Sequence, residues 1–182
     1  MTEFLRVALF LVAAVNPAAV ASAPPPGMRL SRQVIVGGFA FAAIALGLAA
    51  ILSSRILSGL GVEPETFRVA AGVVLMVGGG LAVWNGGSPH RGPWEGRGAA
   101  LFPLGMPLLV TPGALAASIS YGADHGAVRT VLGALIALTV AVGLLAGAAG
   151  RYRPVLDGVA RVTGGLLIAI GVGLVVDGVR AI

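Results

Sequence analysis

Val15-Asn16-Pro17-Ala18-Ala19 and Val110-Thr111-Pro112-Gly113-Ala114 are the two stretches on which the fold turns. Each lies in an apolar run long enough to cross a bilayer, with a proline behind a small polar residue and ahead of residues that are smaller still. A proline inside a spanning helix removes one backbone donor and frees a carbonyl. In hydrocarbon those groups must find partners or line a wet cavity, so two breaks in matching places point to a binding site. The candidate solute-binding residues are Asn16, Pro17 and Ala18 at the first break, and Thr111, Pro112, Gly113 and Ala114 at the second.

Composition sets the class. With 57% hydrophobic and 10% charged residues in 182, there is too little polar surface to wrap a soluble core, and the chain reads as an all-α, multi-pass integral membrane protein. It has no cysteine, which excludes disulfides and Cys metal sites. The 29 glycines fit helices that approach closely in lipid. All 12 basic residues are arginine, spread singly and in pairs between apolar segments, so the pI near 11.3 speaks for membrane orientation rather than nucleic acid. Runs of roughly 20 apolar residues predict six spans: Phe4 to Ala23, Val34 to Leu52, Phe67 to Trp84, Ala99 to Ser120, Val128 to Ala149 and Val155 to Val176. The breakers and charges between them mark connections at Pro24 to Gly27, Ser54 to Glu65, Asn85 to Gly98, Tyr121 to Gly126 and Arg151 to Pro154. Arg6 and Ala21-Ser22-Ala23 give the first segment the outline of a secretory signal, but Glu3 spoils its leading region and Pro24 follows the cleavage position, so retention is expected.

The chain also repeats itself. Phe67-Arg68-Val69-Ala70-Ala71-Gly72 aligns with Ala160-Arg161-Val162-Thr163-Gly164-Gly165 at almost the offset that relates the two proline breaks, and Gly78 and Gly80 then meet Gly171 and Gly173. Residues 1–84 and 99–182 therefore read as two three-helix repeats within a single membrane domain, 1–182. An odd number of spans per copy turns the second upside down, which gives an inverted-topology repeat. Arg29, Arg32, Arg91, Arg97, Arg151 and Arg153 follow the first, third and fifth helices; by the positive-inside rule that side is cytoplasmic and both termini lie outside.

The run Phe102-Pro103-Leu104-Gly105-Met106-Pro107-Leu108-Leu109-Val110-Thr111-Pro112-Gly113-Ala114, with Asn16-Pro17 and Arg68-Val69-Ala70-Ala71-Gly72, resembles the MarC family over essentially the whole chain. The resemblance implies a bacterial inner-membrane protein that transports small neutral amino acids such as glycine and alanine. Ala19 stands where the family usually has glycine, Thr111 where it usually has glycine before Pro-Gly-Ala, and the Pro24 to Pro26 turn is unusual. The residues support such a solute independently. An interrupted helix offers N–H groups to a carboxylate and carbonyls to an ammonium, and apart from Asp157 near the end of the sixth span no Asp, Glu, Lys or His falls in the predicted membrane interior to pair with a strongly charged solute.

Simpler roles stand beside these. Asn16 and Thr111 suit helix caps as well as solute contact, and Pro103 and Pro107 suit helix shaping. Arg68 and Arg161 suit lipid headgroups. Gly165, Ala169 and Gly173, like Gly143 and Gly147, have the spacing of helix contacts. Trp84 and Trp94 suit interface anchors, and His90 and His125 fall in loops without a second ligand, so no metal or other cofactor is expected. Secondary transport is the leading expectation, with the lipid bilayer and the solute as partners and a homo-oligomer allowed. The alternative is a non-transporting membrane scaffold or assembly partner, and the scattered acids argue against an enzyme.

Overall fold

Proline, glycine and small polar caps divide the chain into helices. The computed structural model describes residues 2–25, 28, 30–86, 94, 96–148 and 152–182. The α-helices are α1 (Thr2–Val15), α2 (Pro17–Ser22), α3 (Arg32–Ile51), α4 (Ser53–Leu60), α5 (Pro64–Asn85), α6 (Pro112–His125), α7 (Ala127–Ala148) and α8 (Arg153–Ala181). Proline opens α2, α5, α6 and α8, where its missing N–H has no helical partner to lose. The Ser31 hydroxyl accepts from the Val34 N–H to cap α3, and Gly61, at φ 64°, ends α4.

Among the described residues five helices are long and apolar enough to span a membrane, or six if one bent pair is counted as a single span. That pair is Gly98–Leu109 with Pro112–His125, turned by 65°. The predicted span from Ala99 to Ser120 is thus two arms, and the first is not an α-helix. Leu101–Leu109 winds widely, with extended backbone at Phe102 and Met106 and cis peptide bonds before Pro103 and Pro107. Three prolines between positions 103 and 112 leave too few N–H groups for an α-helical ladder. The first break is milder, for Glu3–Ser22 still counts as one span. Two predicted connections also differ. Ser54 to Glu65 is largely α4, and α6 continues through Tyr121 to His125, which places His125 on a helix rather than in a loop. His90 lies outside the described residues.

The most extensive helix pair is α5 with α8. It is antiparallel and meets through glycine: a methyl on Gly72 would lie 2.6 Å from the Gly171 carbonyl oxygen, and one on Gly79 2.5 Å from that of Gly164. Farther along, a methyl on Gly178 would meet the Glu65 carbonyl and Val69. The contact glycines therefore recur every seven residues on α8. Gly165, Ala169 and Gly173 are exposed, as are Gly143 and Gly147 on α7, and no neighbour approaches any of these four glycines. Spacing alone does not say which stripe of a helix faces protein and which faces lipid, and here the packed stripe is Gly164, Gly171 and Gly178 instead of the predicted one.

The two arginines that the repeat aligns are engaged within the protein. Arg68 pairs with Asp124 of α6 through its Nε and Nη2. Arg161 bonds Asp157 and the Val83 carbonyl at the C-terminal end of α5, where a cation meets the last free carbonyls. Both have protein partners. Trp84 is exposed, as an interface anchor would be, whereas Trp94 is buried.

Candidate functional site

The two breaks meet in one place, and each is tied to the other half of the chain. Asn16 adopts a left-handed conformation (φ 51°, ψ 70°) that stops α1, a region Asn visits more readily than most residues. Its N–H donates to the carbonyls of Val12 and Ala13. Its Oδ1 accepts from the Ala19 N–H at 3.3 Å, and its Nδ2 donates to the Ala160 carbonyl of α8 at 3.2 Å. At the second break the Thr111 hydroxyl accepts from the Ala114 N–H at 2.9 Å and donates to the Ala14 carbonyl at 3.1 Å. The carbonyl that α1 strands at its end is therefore satisfied from 97 residues away.

Between them opens a cavity of about 470 Å³. Ala14, Val15, Asn16, Ala19 and Val20 line it from the first break, and Pro107, Leu108, Thr111, Pro112 and Gly113 from the second. The opposite wall is α5 from Val73 to Asn85 and Gly86, with Leu167 of α8. Asn16, Thr111 and Asn85 are the polar side chains in this lining, and none of its residues is ionisable.

Of the predicted solute contacts, Asn16, Thr111, Pro112 and Gly113 line the cavity. Pro17, Ala18 and Ala114 do not, and they are buried behind it. Reading the sequence found the breaks but missed the α5 wall, Asn85 included. No local signal marks that wall, because a valine-rich face reads the same toward a cavity as toward lipid.

Backbone groups supply what the side chains do not. Helix geometry leaves the first N–H groups of α6 without carbonyl partners. Pro112 has none, Ala114 is capped by Thr111 Oγ1, and Leu115 reaches the Thr111 carbonyl. The Gly113 N–H is then the donor at the cavity, backed by the positive end of α6. At the end of α1, Ala14 and Val15 bring the negative end of that helix to the same space. The site thus carries a donor pole and an acceptor pole within apolar walls.

Compared with protein families, residues 28–182 match MarC family integral membrane protein, a match that begins after the first break. Among curated proteins, the UPF0056 membrane protein YhcE of Escherichia coli is 25% identical over 155 residues, covering 77% of this chain and 72% of that protein. A UPF0056 membrane protein of Pyrococcus horikoshii is 29% identical over 126 residues, covering 66% and 62% respectively. A third, from Buchnera aphidicola, is 22% identical over 156 residues, covering 76% and 72%. No solved structure matches the chain.

Proposed function

Since this chain belongs to the MarC family of integral membrane proteins, we propose that it is a secondary transporter of small neutral amino acids, of the glycine and alanine class, across the bacterial inner membrane. The observation that carries this reading is the shared cavity, in which an uncharged lining brings together the N-terminal pole of one half-helix and the C-terminal pole of another. A zwitterion needs both. Its carboxylate would take the Gly113 N–H, and its ammonium the Val15 carbonyl and the second lone pair of the Ala14 carbonyl, whose first accepts from Thr111. The volume admits such a solute with several waters, each occupying about 30 Å³ of liquid. An ion of single charge would find one pole useless and no counter-charge in the lining.

The repeat reading fits this function. Two inverted three-helix units, 1–84 and 99–182, place one break from each at the cavity, and alternating access becomes a rocking of the units about it. The antiparallel α5–α8 pair and the bonds that run from each break to the other half support that arrangement. Both termini would lie outside.

One observation favours a second reading, a scaffold in which the prolines only bend helices. Both break-site side chains are engaged with protein partners. Purified protein in liposomes separates the two. Labelled alanine or glycine exchanges across the bilayer if the chain is a transporter, and Asn16→Ala and Thr111→Val each slow the exchange while the protein still folds. Absence of exchange under pH and sodium gradients of either sign removes the transport reading.

A further inference from the structure

The cavity reaches one end of the bundle. From the breaks it follows α5 toward Asn85 and Gly86, and among the described residues none of α5 before Val73 and none of α6 after Gly113 lines it. On the far side of the breaks, α5 and α6 close on each other. A methyl at Gly113 would lie 3.2 Å from Leu75, and at the outer end Arg68 grips Asp124, Nε to Oδ2 at 3.1 Å and Nη2 to Oδ1 at 2.9 Å.

Gly113, Ala117, Ser120 and Asp124 follow one another at helical spacing and share a face of α6. Both ends of that face touch α5, so Ala117 and Ser120, 1% and 2% exposed, lie in the seam between. The Ser120 hydroxyl is buried there without a hydrogen-bond partner. A hydroxyl in a permanently dry seam costs stability, whereas one in a seam that opens has water for part of its time. The Ser118 and Tyr121 hydroxyls of α6 are also buried without partners, and Ser120 is set apart from them by sharing the face that carries Gly113 and Asp124.

We propose that the Arg68–Asp124 pair is the latch on the second opening of the solute path, so that releasing it exposes the α5–α6 seam to the side of the membrane opposite Asn85. This rests on the transport reading above. The pair fixes the ends of two helices in a bidentate geometry, yet it is partly exposed, and such pairs are weak enough to break in each cycle. Arg161, which the sequence repeat sets against Arg68, holds the other end of α5 through the Val83 carbonyl. The latch residues touch no solute and act by holding helices.

The absence of cysteine makes the test direct. Ser120→Cys is nearly isosteric, and its reaction with a membrane-impermeant thiol reagent is followed in liposomes from each side. The expected result is slow labelling with the pair intact, labelling about ten-fold faster with Arg68→Gln or Asp124→Asn from the side opposite Asn85, and slow labelling again in the Arg68→Asp, Asp124→Arg exchange. Equal rates in all four proteins overturn the latch. So does fast labelling in the exchange variant accompanied by a lowered unfolding temperature, since the pair is then a structural brace. Alanine uptake is read in the same liposomes. If it is absent while the labelling pattern holds, the transport reading fails and the latch stands as an opening device.

Discussion

Asn16 and Thr111 look alike in sequence, but the structure gives them different tasks. Asn16 must hold φ 51°, cap α2 and reach α8, whereas Thr111 sits in extended backbone and needs only its hydroxyl. Asn16→Gly therefore loses the cap and the tie but keeps the backbone, while Asn16→Ala adds left-handed strain of about 1–2 kcal/mol. Thermal unfolding in detergent should rank them wild type, then Gly, then Ala; an Ala variant as stable as the Gly variant would show that the conformation is not enforced. Thr111→Ser keeps both hydrogen bonds and should retain stability and uptake. Thr111→Val leaves the Ala14 carbonyl and the Ala114 N–H unpaired and should cost about 1–3 kcal/mol. At this scale the caps were legible, because a small polar residue before proline is a cap signal. Their second partners were not, since Ala160 and Ala14 are brought in only by packing.

Among the elements, α5 and α8 carry the sharpest test. Gly79→Ala drives a methyl into the Gly164 carbonyl, and Gly171→Ala does the same at Gly72, where the contact would be 2.6 Å. Each should destabilise by about 1–3 kcal/mol, the usual range for overpacking. Gly165→Ala and Gly173→Ala meet no neighbour and, with alanine the better helix former, should leave the unfolding temperature unchanged or slightly raised. The opposite order would mean that the exposed stripe is the packed one. Composition announced that glycine mattered but left the stripe undecided, because α8 has glycine on several faces. The same limit applied to the fourth span. Its length was legible and its 65° bend was not, since that bend depends on how Leu101–Leu109 settles against α3.

For the molecule as a whole, the charge distribution predicts the side of the membrane on which the cavity opens. If Arg29, Arg32, Arg91, Arg97, Arg151 and Arg153 mark the cytoplasmic side, the Asn85 end faces the cytoplasm. Asn85→Cys should then react with an impermeant thiol reagent in inside-out vesicles and not in right-side-out ones; the reverse pattern would invert the topology. The membrane class followed from hydropathy, as did five of the six expected spans and the sixth if the bent pair is one span, whereas the meeting of the two breaks needed three dimensions. The glycine seam also restricts how the halves move. Its closest contacts are backbone to backbone at intervals of seven residues, with Met76, Ile168 and Val175 beside them. Sliding by one helical turn would force those side chains into spaces that hold only a hydrogen atom. The seam thus forbids sliding of α5 along α8, and the rocking of the two units that would admit or release a solute has to hinge at this seam instead of shearing along it.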